Sequence, residues 1–179
     1  MPRLLLVMRH GKSSWDDEKL PDHQRPLTKR GKRDSRYMGE ALRARDLMPD
    51  IVLSSTATRA QRTVRQFVKG SDYEGDVISD ESLYLGEVTD HLRALRHLPS
   101  DVHRTLMIGH NPALEELVRL LTGQEVRLPT ASVACITLPI ENWDQINEKT
   151  RGTLECVLSP KELQHLPESS GPVENEQAS

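Results

Sequence analysis

The chain opens on a continuous apolar run, Leu4-Leu5-Leu6-Val7-Met8, broken by the polar pair Arg9-His10. A run of this length with no polar alternation predicts a strand buried on both faces, the kind found in parallel sheets. Residues 11 to 27 are polar and hold Pro21 and Pro26, which predicts a long loop. Thr28 then offers itself as a helix N-cap. Tyr37, Met38, Ala41, Leu42 and Ala44 recur at helical spacing between Lys32 and Leu47, and Pro49-Asp50 is expected to close that helix. Ile51-Val52-Leu53-Ser54 predicts a second short buried strand. A helix follows from about Thr58, apolar at Ala60, Val64, Phe67 and Val68, with Gly70 expected to stop it.

The second half repeats the alternation. Val77-Ile78 is a weak strand candidate, and residues 87 to 98 form a helix through Val88, Leu92 and Leu95, ended by Pro99. Thr105-Leu106-Met107-Ile108 is a third buried strand. Asn111-Pro112 opens a further helix with Asn as cap and Pro in the first turn; Leu114, Leu117, Val118 and Leu121 face one way and Gly123 ends it. Strands at Val133–Leu138 and Leu154–Leu158 follow. Strand and helix in turn predict a three-layer α/β/α sandwich around a mostly parallel central sheet. Residues 1–166 are expected to form one catalytic domain, and the polar residues 167–179, rich in Glu and Ser, a disordered tail.

Composition narrows the class. The 179 residues are 36% hydrophobic and only 3% aromatic, so aliphatic side chains must fill the core. A net charge of −3 gives no strong attraction to nucleic acid or anionic membrane. Two cysteines, Cys135 and Cys156, are too few for a disulfide framework or a four-ligand zinc site and read as small core side chains. The first apolar run is too short for a secretory leader, and no stretch approaches the roughly 20 apolar residues of a membrane span. A cytoplasmic protein is expected.

The chemistry gathers at three strand ends. The first strand runs into Arg9-His10-Gly11, the second into Ser54-Ser55-Thr56 with Arg59 a turn later, the third into Gly109-His110-Asn111-Pro112. Ligands of open α/β sheets bind beyond the carboxyl ends of the strands, so these residues are expected to share one crevice. Taken singly, each is more ordinary: a loop residue, a capping histidine, a solvated arginine. Together, two arginines and two histidines with no carboxylate among them make a strongly positive pocket suited to a phosphoryl group, whose oxygens match the guanidinium fork.

These residues resemble the histidine phosphatase superfamily, and within it the SixA-type phosphohistidine phosphatases. Arg9-His10-Gly11 is similar to its signature, Arg25-Pro26-Leu27-Thr28 with Gly31 to the segment before its first helix, Ser55 to Thr63 to its second motif, and Ile108 to Pro112 to its third. The resemblance spans roughly residues 3 to 160. It implies that His10 attacks phosphorus and becomes phosphohistidine, while Arg9, Arg59 and His110 bind the phosphoryl oxygens, with Gly11 and Asn111 also lining the substrate site. No cofactor and no metal is called for, because the two arginines and the second histidine supply the positive charge. Attack requires an unprotonated ring nitrogen, so the other nitrogen of His10 should donate to a backbone carbonyl, that of Gly11 or a neighbour.

Many relatives use a carboxylic acid to protonate the leaving oxygen. Glu81, next to Asp80 and after the Val77-Ile78 strand, is the candidate here, with a solvated or capping carboxylate as the plainer reading. Asp16 stands where mutase-like relatives often have Asn, and Lys12 is a candidate partner for it. The basic segment Arg25 to Arg36 reads as a solvated helix face or a dock for an acidic partner, and Trp15 and His23 as surface residues or a lid. The chain leaves little room for a cap, which implies an open site. The expected substrate is phosphohistidine on a protein; the alternatives are a small phosphate monoester or a phosphate-binding or docking module without turnover.

Overall fold

The computed structural model describes residues 1–165. The strands are β1 (Arg3–Arg9), β2 (Ile51–Ser55), β3 (Asp76–Asp80), β4 (Arg104–Gly109), β5 (Val133–Leu138) and β6 (Thr153–Leu158). The main helices are α1 (Lys29–Ala44), α2 (Thr58–Ser71), α3 (Val88–Arg96), α4 (Ala113–Thr122) and the short α5 (Pro160–Gln164). One six-stranded sheet has the order β3-β2-β4-β1-β5-β6. Neighbours β3, β2, β4 and β1 run parallel, while β5 is antiparallel to both β1 and β6. The sheet is mostly parallel, as the alternation of elements predicts.

Alternate residues of β1 feed opposite layers. Leu6 and Met8 pack with Met38 and Leu42 of α1 and with Ala60, Val64 and Phe67 of α2. Leu5 and Val7 pack with Leu92 and Leu95 of α3 and with Leu114, Leu117 and Leu121 of α4. Burial on both faces is why the central strands read as unbroken apolar runs. At the sheet edge Val77 and Ile78 of β3 stay exposed, which explains their weak signal. Among the described residues no helix is long and apolar enough to cross a membrane.

Several element ends differ from expectation. Thr28 does cap α1, accepting from the Gly31 amide at 3.0 Å, and the helix therefore begins at Lys29, before its first apolar residue. It ends at Ala44 rather than at Pro49-Asp50: Asp46 takes a left-handed φ of 55° and the Leu47 amide returns to the Leu42 carbonyl. Asp50 instead binds the amides of His103 and Arg104 through its carboxylate, tying the start of β2 to β4. Gly70 does not stop α2. A Cβ there would lie 2.0 Å from the Arg36 carbonyl oxygen, so the glycine serves close packing of α2 on α1, and the left-handed Asp72 ends the helix. Asn111 does not cap α4. Pro112 holds the N-cap position after a cis Asn111-Pro112 bond, and the Asn111 amide is used elsewhere. Cys135 is buried and Cys156 half-buried; they face each other across β5 and β6 as free thiols. The expected tail, residues 167–179, lies outside the described residues.

Candidate active site

Parallel pairing aligns the carboxyl ends of β2, β4 and β1, so the three loops that follow them meet. His10 leaves β1 with its backbone amide on the Gly109 carbonyl at 3.1 Å, next to the loop that carries His110. The Gly11 amide donates to Thr63 Oγ1 at 2.9 Å, and the Thr63 hydroxyl donates to the Arg59 carbonyl at 2.8 Å. One threonine thus couples the end of β1 to the first turns of α2. Gly11 admits no side chain, because a Cβ would fall 2.7 Å from the Gly31 carbonyl oxygen. Its amide is occupied by Thr63, so Gly11 serves the site as a spacer and a link.

His10 is buried, and its Nδ1 lies 2.7 Å from the Gly11 carbonyl oxygen. A carbonyl only accepts, so Nδ1 carries the proton and Nε2 keeps its lone pair. Burial lowers the imidazole pKa to about 4; the Gly11 bond opposes the shift, and the charges of Arg59, Arg9 and Arg25 add to it. The ring is therefore neutral at physiological pH. His110 is also buried, with ring centroids 5.1 Å from His10 and Nε2 2.7 Å from Ser55 Oγ. Its Nδ1 has no partner among the described residues. Burial first, then repulsion from His10 and Arg59, lowers its pKa to about 3.

The arginines are held differently. Arg9 donates to the Leu128 carbonyl at 3.1 Å and leaves Nε buried without a partner among the described residues. The buried Arg59 aims its whole fork at one residue of the first loop, with one nitrogen 2.8 Å from the Asp22 carbonyl and the other 3.1 Å from its carboxylate. Asp22 also receives Tyr84 Oη at 2.6 Å and Arg25 at 3.0 Å. The Tyr84 bond, then Arg25 and Arg59, outweigh desolvation and hold its pKa down at about 2, so it is ionised. Arg25 is itself buried; it reaches Ser13 Oγ and the Ser14 carbonyl and stacks under Trp15.

The pocket therefore does contain a carboxylate, contrary to the reading of the strand ends alone. Asp22 comes from a 3-10 turn, Asp22–Gln24, in a loop without periodic pattern, and only its three-residue spacing from Arg25 hints at a pairing. Tyr84 was also unsignalled; it stands between the rings of His23 and His110, at centroid distances of 4.7 and 5.7 Å. His23 is half-buried, bound to Thr56 Oγ1 at 2.9 Å and edge-on to Tyr84, whereas Trp15 remains 71% exposed.

Other candidates are engaged elsewhere or exposed. The Asn111 amide donates to Glu115 at 2.9 Å and to the Leu128 carbonyl at 3.0 Å, which braces the loop holding Arg9; its Oδ1 is buried without a partner among the described residues. Glu81 is exposed, and among the described residues its side chain makes no hydrogen bond or ion pair with His10, Arg59 or His110. Asp80 caps the next turn through Ser82. Asp16 is exposed and forms no ion pair with Lys12.

A neutral, oriented imidazole thus lies at the strand ends of a doubly covered sheet near three guanidinium groups, a concentration of positive charge that suits an anionic group. The comparisons carry this further. The family model described as the histidine phosphatase superfamily (branch 1) matches residues 5–84. An uncharacterized chloroplastic protein of Arabidopsis thaliana is 31% identical over 152 residues, spanning 80% of this chain and 70% of that one. Among solved structures, one assigned as the phosphohistidine phosphatase SixA of Nakamurella multipartitia superposes with a TM-score of 0.79 at 26% identity, covering 89% of this chain and 97% of that one. The protein histidine phosphatase SixA complexed with tungstate superposes at 0.77 and 27%, covering 89% and 99%. The chain belongs to the histidine phosphatase superfamily, and its fold is that of the SixA proteins.

Proposed function

We propose that the protein removes phosphoryl groups from phosphohistidine on a protein, through a phospho-His10 intermediate. The observation that carries this is the Nδ1–Gly11 hydrogen bond on a buried, neutral His10, which leaves Nε2 as a free nucleophile. In the first step the Nε2 lone pair attacks phosphorus, the bond from phosphorus to the substrate's imidazole breaks, and that imidazole leaves with the electron pair and takes a proton from solvent. In the second, water attacks phospho-His10. Inorganic phosphate departs, the nitrogen regains its lone pair, and the water's proton passes to bulk. Arg9, Arg59 and His110 carry the charge on the equatorial oxygens.

The choice of phosphohistidine rests on the carboxylates. Asp22 is held ionised by Tyr84, Arg25 and Arg59, and among the described residues the exposed Glu81 makes no side-chain hydrogen bond or ion pair with the site. An alkoxide leaving group needs an acid, whereas an imidazole protonated from solvent does not. The SixA neighbours at 26 and 27% identity support the same substrate class. A cytoplasmic setting belongs to the proposal, supported by a cysteine count of two, too few for a disulfide framework.

One feature favours a small phosphate monoester instead: a cleft of about 240 Å³ beside His110, lined in part by Tyr84, Leu85, Pro112 and Glu116, which has room for a compact leaving group. The test is phosphate release from a phosphohistidine-bearing protein and from p-nitrophenyl phosphate, with His10→Ala as the background. Fast release from the protein and little from the ester is the expected result. The reverse would overturn the phosphohistidine reading and turn attention to the cleft.

A further inference from the structure

Helix α2 carries Arg59, Arg62, Arg65 and Lys69 and not one Asp or Glu. Arg59 turns into the site. The other three join Lys32 of α1 and Gln66 around a groove of about 300 Å³ between the two helices. Elsewhere on α1 the arginines are matched: Arg30 and Arg33 flank Asp34, Arg36 pairs with Glu40, and Arg43 with Asp72, while Lys29 at the helix start joins no ion pair among the described residues. Among the described residues Lys32, Arg62, Arg65 and Lys69 join no ion pair and make no side-chain hydrogen bond. On a chain of net charge −3 this is a local concentration of unmatched positive charge.

The groove lies on the same two helices that buttress the site, although its lining includes none of His10, Arg59 or His110. Lys32 follows Gly31, whose Cα lies against the Lys12 backbone, and Arg62 precedes Thr63, which holds the Gly11 amide. Two of its cations are thus chain neighbours of residues that touch the segment following His10. From Arg62 the groove runs along α2 to Lys69, seven residues on, or about 10 Å of helix. A single phosphate group needs donors that converge within hydrogen-bond reach. These cations are spread out, largely exposed and not braced by neighbours, an arrangement that steers an extended negative surface rather than gripping one small anion.

The geometry points to a docking track for the substrate: the groove between α1 and α2 receives an acidic face of the protein whose phosphohistidine enters at His10. This rests on the proposed substrate class and adds how the substrate is recognised. The track acts on encounter, so it lowers KM for an acidic partner and leaves the chemistry at His10 alone.

The experiment is the double variant Arg62→Glu/Arg65→Glu with three substrates: an acidic phosphotransfer protein phosphorylated on histidine, a phosphohistidine peptide of zero net charge, and p-nitrophenyl phosphate. At low ionic strength kcat/KM on the acidic protein is expected to fall about tenfold through KM, with the loss shrinking as salt is raised. Rates on the peptide and the ester should hold, which also shows that the variant is folded, and Arg65→Lys should behave as the parent. An equal fall on all three substrates, or no change on the acidic protein, would overturn the track while leaving the substrate class standing. Loss of DNA binding with the acidic-protein rate intact would hand the groove to nucleic acid and overturn it as well. If the parent protein cleaves the ester but neither phosphohistidine substrate, the substrate class itself fails and the track falls with it.

Discussion

The two walls of the site are built by different means. The inner wall, His10, His110, Arg59, Ser55 and Thr63, hangs from strand ends and the first turns of α2, and all five residues are buried. The outer wall comes from the loop after β1 and the turn before α3. Its Asp22 side chain is 45% exposed and Leu85 81% exposed. Electrostatics follows burial. On the inner wall desolvation dominates and pushes both imidazoles far down, whereas Asp22 is governed by hydrogen bonds and ion pairs from Tyr84 and the arginines. The inner wall thus holds groups whose protonation is set once by the fold. The outer wall holds one whose charge depends on contacts that a substrate would rearrange.

The comparison breaks most visibly at His10. His10→Ala should lower turnover more than about a thousandfold with the cooperative unfolding transition retained, since the proposed nucleophile stands on the inner wall. Circular dichroism melting beside the phosphate-release assay checks both halves; normal turnover would remove His10 from the mechanism. Arg59 joins the two walls. Arg59→Ala should cost about a hundredfold in kcat/KM, and Arg59→Lys should recover little, because a point charge cannot reproduce the fork. Full recovery by lysine would mean that only charge matters there.

Acid sharpens the contrast next. The unfolded chain protonates a histidine near pH 6.5, but folded His10 resists until about 4. Between those values only the unfolded state takes up the proton, so stability is complete above about pH 6.5 and is lost as the pH falls toward 4. For His10 alone the loss is about 3 kcal/mol, and His110, pushed down to about 3, adds in the same direction. Urea unfolding from pH 7 to 4.5 should show the decline, and His10→Gln should flatten it; an unchanged slope would contradict the desolvated imidazole. The smallest effect belongs to the outer wall. Asp22→Asn removes a negative charge that competes for Arg59, so phosphate or tungstate should inhibit at about three- to tenfold lower concentration. Weaker inhibition would instead make Asp22 a positioning residue that holds Arg59 ready.

The inner wall was largely legible in the amino-acid order and the outer wall was not, for a physical reason. Arg9, His10, Arg59 and His110 each follow a short apolar run whose burial predicts a strand, and parallel strands bring such ends together. Even the partner of His10 Nδ1 follows from local chemistry, because the nearest acceptor is the carbonyl one residue on. The element boundaries that differed, at Asp46, Gly70 and Asn111, are places where a backbone conformation or a close helix contact overrides side-chain preference. The basic character of α1 was also visible, but which of its cations find carboxylates was not.

By itself, then, the sequence determined the sandwich of helices around a mostly parallel sheet and the residues standing at its strand ends, since both follow from local hydrophobic patterning and chain connectivity. Only the tertiary structure decided that Asp22 closes on Arg59, that Tyr84 stands over His110, and that Arg62, Arg65, Lys69 and Lys32 share one groove. Those contacts join residues up to 37 positions apart, through a loop without period and across two helices. No short-range pattern encodes such separations. They are set by where the packed core leaves the loop and the helix faces.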